Sequence, residues 1–508
     1  MKRYALMGIL SVLVLFLAMG WPSAIAGTSL DNLVANGDLS EGTQRWWLSI
    51  QEGGKGTITA ANGILSVNID NPGTRPWSVG VSHGDIVLEK NMVYEVSFEA
   101  RSREIKQIVS LVIMADKPYT SYSGNHVSAL ESEFHKYSFS FTLREVIANK
   151  ALIVFNLGRL GKGVVDITNV RIICTGPQKA DVIPNDFPKP FADRIQRGIT
   201  FGNTFDAPYE GAWAPELREE YFAIIKSAGI FDHIRIPARW NTHALKEAPY
   251  TIDPEYMRRI DWAVSQALKR GFYVVLNMHY FDELVANPPR YKDEFIALWS
   301  QIAAHFKDYP ANLYLEIYNE PQQKLNSYWN SYYPLVYDVI RQSNPTRKIV
   351  ISCPGWANVT TLNQLKLPKK IAADPNILVQ FHFYYPGEFC FQGSVGNGLE
   401  DVSGYRWTGT ATQQKELIRL ADHAVQWAKQ NGGVSLWNGE FCAQPGASLE
   451  EDRITWTAFI IKLCEERNIP WAYWDFTGDA SRIYDFETGL WNEPILQVMK
   501  NGGTKAGI

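Results

Sequence analysis

Between residues 36 and 174 apolar and polar positions alternate in short stretches, separated by turn signals such as Ala61-Asn62-Gly63 and Asn71-Pro72-Gly73. A period of two with such breaks predicts β-strands, and no long amphipathic pattern interrupts them. Strands are expected at residues 56–59, 64–69, 93–100, 108–114, 137–143, 151–157 and 164–173. Seven strands at that spacing predict an all-β sandwich of jelly-roll-like architecture, assigned to residues 31–176.

Residues 177–192 contain Pro177, Pro184, Pro188 and Pro190 without apolar periodicity, and read as a linker. Beyond it the pattern changes. Runs rich in β-branched residues at 198–203, 233–240, 273–279, 313–320, 348–354, 377–384, 435–441 and 471–476 alternate with helical patterns at 215–228, 254–270, 292–307, 413–430 and 449–467. The helix over 254–270 carries both end signals, opening at Asp253-Pro254 and closing at Lys269-Arg270-Gly271. Eight such units predict an α/β fold, a (β/α)8 TIM barrel over residues 193–500. An open doubly wound sheet is the alternative, weakened because no Gly-rich phosphate loop follows the first strand.

Three features adjust this picture. Lys2 and Arg3, an apolar run over residues 5–21 and Ala24-Ile25-Ala26 form the parts of a secretory signal over residues 1–26, with cleavage expected after Ala26. The expected product is extracellular, monomeric and free of the membrane; a retained anchor is the alternative, since about 17 apolar residues is near the minimum for a span. Asp plus Glu number 53 against 49 Lys plus Arg, so no basic surplus exists for phosphates and nucleic acid is not an expected partner. The five cysteines, Cys174, Cys353, Cys390, Cys442 and Cys464, form no metal spacing; buried thiols are expected, with Cys390 and Cys442 the candidates for one bridge.

A barrel puts its chemistry at the C-terminal ends of its strands. There stand Arg235, His279, Asn319-Glu320-Pro321, His382-Phe383-Tyr384, Asn438-Gly439-Glu440 and Trp474. Glu320 and Glu440 lie three β/α units apart and are expected to face each other across the mouth. Glycoside hydrolysis needs such a pair, one carboxyl to protonate the leaving oxygen and another, about 5 to 5.5 Å away in retaining enzymes, to attack the anomeric carbon. No H-E-x-x-H, P-loop or G-x-S-x-G competes. His243, Trp213, Trp240, Trp356 and Trp407 fall in predicted loops as candidate sugar contacts, Trp356 the best placed of the tryptophans.

With these residues in order, the second half resembles glycoside hydrolase family 5 of clan A, retaining (β/α)8 hydrolases with glutamates after strands four and seven. The resemblance spans residues 191–499 and rests on Arg235, His279, Asn319, Glu320, His382, Tyr384, Glu440 and Trp474. It implies that Glu320 is the general acid/base and Glu440 the nucleophile, held ionised by Arg235 and Tyr384. It further implies that Asn319 bonds the sugar 2-hydroxyl, that Trp474 stacks beneath that sugar, and that no cofactor or catalytic metal is needed. The stretches Gly202-Asn203-Thr204-Phe205-Asp206-Ala207-Pro208, Arg235-Ile236-Pro237-Ala238-Arg239-Trp240 and Phe389-Cys390-Phe391-Gln392-Gly393 are similar to thermophilic bacterial cellulases that also accept mannans. Two departures lie beside the cleft: Gln322-Gln323 where that branch commonly has His-Gly, and Cys442 where it often has Gly.

The stretch Asn36-Gly37-Asp38-Leu39-Ser40-Glu41-Gly42 with Trp46-Trp47, and Asp166-Ile167-Thr168-Asn169-Val170, resemble the family 4/9 carbohydrate-binding sandwiches. That resemblance implies a possible structural calcium on Asp38, Glu41 and Asp166. Trp47, Trp77, Tyr119 and Tyr122 are candidates for a sugar groove. The expected function is a secreted retaining endo-β-1,4-glucanase with a polysaccharide partner. The alternatives are a β-mannanase or mixed glucan/mannan hydrolase and, from another class, a non-catalytic carbohydrate-binding surface protein.

Overall fold

The computed structural model describes residues 31–503 except 116–121, 124–125, 144–149, 160, 178–186, 191, 397, 479–480 and 487. The signal, Tyr119 and most of the linker fall outside the described residues. Contacts divide the chain into two units that part between Gln178 and Lys179.

In the first unit alternation decides which face is buried. Leu65, Val67 and Ile69 of β3 (Ile64–Asn71) point one way and are almost fully buried. The same holds for Val165, Ile167, Val170 and Ile172 of β10 (Gly163–Pro177), where a register shift between Thr168 and Arg171 preserves the inward face. Two five-stranded antiparallel sheets enclose this core. One runs β1 (Trp46–Ile50), β4 (Val79–Ile86), β9 (Ala151–Asn156), β6 (Gln107–Ala115), β7 (His126–Ala129); the other runs β2 (Lys55–Ala61), β3, β10, β5 (Met92–Arg101), β8 (His135–Thr142). Three strands more than expected are present, β1, β4 and β7.

In the second unit β11 (Arg197–Thr200), β12 (His233–Ile236), β13 (Tyr273–Asn277), β14 (Leu313–Glu316), β15 (Ile349–Ser352), β16 (Ile377–His382), β17 (Ser435–Phe441) and β18 (Trp471–Tyr473) close a parallel barrel in chain order. Helices including Pro254–Lys269, Pro288–His305, Asn326–Ser343, Ala411–Gln430 and Glu450–Glu466 connect them. Inside the barrel, Ile195, Tyr273, Val275, Tyr314, Val350, Leu378, Trp437 and Ala472 fill an apolar layer. Two residues further along the same strands the inward positions turn polar: Asn277, Glu316, Ser352 and Gln380, all buried, join Arg235. The catalytic mouth lies above this second layer.

One irregularity matters for the site. Phe381 pairs with Asn438 but His382 pairs with Glu440, so β17 carries one extra residue at Gly439. A side chain there would collide with the Gln380 amide, which only glycine avoids.

Candidate active site

The mouth is organised by the guanidinium of Arg235, on β12 and fully buried. Its Nη1 donates to Oε1 of Glu440 at 2.5 Å and its Nη2 to Oδ1 of Asn319 at 2.7 Å. The remaining edge, Nε and Nη2, grips both oxygens of Glu316 at 2.8 and 2.7 Å. Glu440 also accepts the Tyr384 hydroxyl on Oε2 at 3.0 Å. Burial raises the Glu440 carboxyl, while His382 and Arg235 pull the other way; the two donors favour its ionised form. Burial and the Glu440 charge push the Tyr384 phenol well above its ordinary range, so it stays a donor.

Glu320 lies not on β14 but four residues past its end, in the loop that Asn319 anchors through its backbone N–H to the Met278 carbonyl at 2.9 Å. Its Oε1 is 2.7 Å from Nδ1 of His382, and the same nitrogen is 3.6 Å from Oε2 of Glu440. One oxygen of each glutamate and this nitrogen all lie within 4.8 Å of one another. Burial pushes Glu320 up to about 8, against Arg235 and with help from Glu316. Burial holds His382 down at about 4, so its imidazole is neutral near pH 7. Two equivalent carboxyls are thereby made different: Glu440 receives a guanidinium and a phenol, Glu320 only a neutral imidazole.

His279, buried and held well below the ordinary imidazole range by burial, Arg235 and His382, stacks on Trp474 with ring centroids 5.4 Å apart. Gly202 makes that arrangement possible, because a Cβ there would run into the Trp474 ring and the Asp475 carboxylate. An aromatic chain continues outward from His279 to Tyr280 at 4.7 Å and to Trp213 at 6.1 Å, where the indole is 41% exposed. On the side of Glu320, Trp356 is 50% exposed and donates its backbone N–H to the Pro321 carbonyl at 3.0 Å. Its φ of 58° is costly for so large a residue. The backbone is held there from both sides, since His382 N–H donates to the Ala357 carbonyl at 2.6 Å.

Several sequence expectations are corrected. His243, seven residues past the end of β12 at Ile236, lays its ring flat on Tyr256 at 3.9 Å. Trp240 and Trp407 are core residues, the first donating its indole N–H to the Asn277 carbonyl at 2.8 Å. All five cysteines are free thiols, Cys390 and Cys442 included. In the sandwich Asp38 and Asp166 have partners of their own. Asp38 accepts from Ser40 N–H and Oγ within its own turn, whereas Asp166 pairs with Arg101 Nε at 2.9 Å and Ser66 Oγ at 2.6 Å, and a guanidinium on the carboxylate disfavours a second cation. Trp47 and Trp77 are exposed, while Tyr122 is buried.

The sequence reading overlooked Glu316, Gln380 and Asp206. The first two are lone polar residues in apolar strands with inward parity. Asp206 is fully buried, with Oδ2 3.9 Å from Nε2 of His279, and burial pushes it up to about 7.

Residues 197–480 match the family model described as cellulase (glycosyl hydrolase family 5), and residues 31–162 match that of a carbohydrate binding domain. Endoglucanase H of Acetivibrio thermocellus is 31% identical over 320 residues, covering 61% of this chain and 33% of that protein. Cellulase/esterase CelE of the same organism is 27% identical over 336 residues, covering 61% and 39%. The chain thus spans well under half the length of these two relatives. Among solved structures, Cel5A of Thermotoga maritima in complex with cellobiose is 38% identical with a TM-score of 0.58, over 60% of this chain and 97% of that one. The same protein has been solved with mannotriose, with the same identity, TM-score and coverage. The cellulose synthase subunit Z of Clostridioides difficile is 33% identical with a TM-score of 0.57, over 60% of this chain and 99% of that one.

Proposed function

The chain belongs to glycosyl hydrolase family 5, and on that footing we propose that it is an endo-β-1,4-glucanase that cleaves internal glucan bonds by double displacement. The observation that carries this reading is the closeness of Glu320 and Glu440, with an oxygen of each within 4.8 Å. Retaining pairs stand about 5 to 5.5 Å apart, whereas inverting pairs stand about 6.5 to 9.5 Å apart to admit a water.

In the first step Glu440 attacks the anomeric carbon, the bond to the leaving oxygen breaks, and Glu320 gives that oxygen its proton. Neutral His382 with its hydrogen on Nδ1 donates to Oε1 of Glu320, which leaves Oε2 to carry the acid proton. In the second step the Glu320 carboxylate takes a proton from water as the water oxygen attacks the same carbon and expels Glu440. Asn319, its Oδ1 engaged by Arg235, has Nδ2 to offer a sugar hydroxyl, and Trp474 offers the floor.

Internal cleavage needs sugar on both sides of the scissile bond. Trp356 adjoins the acid loop and therefore the leaving group, while Trp213 joins the Trp474 side through Tyr280 and His279. Exposed indoles of this kind suit the C–H faces of sugars. On the same grounds we assign glucan binding to the sandwich through Trp47 and Trp77, while the signal pattern of residues 1–26 supports export. A second reading, activity on β-mannan as well, is favoured by the likeness to a structure solved with mannotriose.

The test is product length against time on soluble cellulose derivatives and mannans. A rapid fall in viscosity with mixed oligosaccharides is expected, abolished in Glu440→Ala with binding retained. Binding without cleavage by the wild type would sink the proposal, and mannan cleaved as fast as glucan would favour the second reading.

A further inference from the structure

Glu316 closes β14 and is completely buried beneath the two glutamates. Four hydrogen bonds reach its carboxylate: Arg235 Nε and Nη2 at 2.8 and 2.7 Å, Asn277 Nδ2 at 3.0 Å and Gln380 Nε2 at 2.6 Å. Every partner is a donor, so the carboxyl has nowhere to point a proton and stands as an anion. Arg235 therefore serves two carboxylates at once.

We propose that Glu316 is a positioning residue that keeps Arg235 paired and oriented through both halves of the reaction, and thereby sets the pH limits within which Glu440 and Glu320 work. The inference rests on the double-displacement reading. When Glu440 becomes an ester its charge disappears, and Glu316 is then the anion left to balance a guanidinium with no access to water. Charge is also conserved across the step. Before it, Arg235, Glu316 and Glu440 sum to one negative charge with Glu320 protonated; after it, Arg235 and Glu316 cancel and ionised Glu320 carries that charge.

Without Glu316 the whole of the Arg235 charge would fall on the catalytic pair. Glu440 would be a weaker base and nucleophile, and Glu320 would lose its proton at lower pH. The titratable and charged groups facing this cluster are Arg235, Glu440, His382, Tyr384, Glu320, Cys353 beyond β15, and His279 beyond β13 with Asp206 3.9 Å from it. Both imidazoles are held down, mainly by burial, and burial pushes the Cys353 thiol up to about 12 and the Tyr384 phenol well above its ordinary range; Asp206, pushed up to about 7, is left in place in both variants, so a movement of the limbs on removing Glu316 reports on the two glutamates.

The test is kcat/KM against pH on a soluble cello-oligosaccharide for the full chain, Glu316→Gln and Glu316→Asp. Both limbs are expected to move to lower pH by about one unit in Glu316→Gln and by part of that in Glu316→Asp, whose carboxylate is drawn back from the guanidinium. KM should stay within about threefold while kcat falls. Reduced activity with both limbs in place in the two variants would overturn the proposal and leave the function standing. Should Glu316→Gln fail to fold by circular dichroism, Glu316→Asp decides alone: a shifted profile supports the role, an unshifted one removes it. Failure of the wild type on every β-1,4-glycan would overturn the underlying reading instead.

Discussion

The hydroxyl of Tyr384 donates to Oε2 of Glu440 at 3.0 Å, on the oxygen that Arg235 leaves free. Two donors on two oxygens fix the plane of the Glu440 carboxylate. Tyr384→Phe removes one donor and keeps the ring that packs on Phe391 at 4.9 Å. A fall in kcat of about 10²-fold is expected, with an unchanged melting temperature. A loss below tenfold in steady-state assays would show that the hydroxyl carries little of the charge.

Glu320 acts as an acid only while protonated, and burial pushes it up to about 8. Activity should therefore be present below that pH and lost as pH rises through it, with the profile set by one proton. In Glu320→Ala the alkaline limb should vanish on dinitrophenyl β-cellobioside, whose leaving group needs no protonation. Persistence of the limb in that variant would assign it to another group.

Asp206 and Asp475 are buried carboxyls, pushed up by burial to about 7 and about 8. An unfolded Asp titrates near 3.9, roughly, so the folded chain holds these protons longer. Their contribution to stability is complete below the unfolded value and is lost as pH climbs through the folded values. The melting temperature should fall between about pH 4 and pH 8. Asp475→Asn keeps an oxygen acceptor for the Gly478 N–H and cannot ionise, so it should flatten that slope. Parallel wild-type and variant curves would refute the assignment.

Gln323 has a φ of 47°, the left-handed region, at the position where the similar cellulases commonly have Gly. Left-handed backbone costs an L-residue about 1–2 kcal/mol, partly offset by the greater freedom of Gly in the unfolded chain. Gln323→Gly should stabilise the protein by about 0.5–1 kcal/mol, read in thermal or denaturant melts. A lower midpoint would mean that the glutamine side chain makes contacts worth more than the strain.

The barrel was readable because short apolar runs, β-branched in β12, β13, β15 and β16, alternate with helical patterns and end in polar residues, and Asn319-Glu320-Pro321 and Glu440 stood out at those ends. β4 was missed because Gly80 and Gly84 interrupt its alternation, and β1 because five residues led by two tryptophans resemble a loop. Glu316 and Gln380 gave a parity signal, but parity cannot reveal that side chains from separate strands meet at one guanidinium. His243 lies seven residues past the end of its strand, where sequence nearness to Arg235 says nothing of what the ring packs on, here Tyr256.

The extra residue at Gly439 decides which way Glu440 looks. Counting by twos from inward-facing Trp437, an unbroken strand would send Glu440 toward the helices. With the count reset, Glu440 follows Trp437 inward, while Asn438 and Phe441 both turn to the helix Glu450–Glu466, reaching Cys464 at 3.6 Å and Trp456 at 6.3 Å. The β17 strand therefore has two reading frames joined at a glycine, and the carboxylate that Arg235 grips belongs to the second.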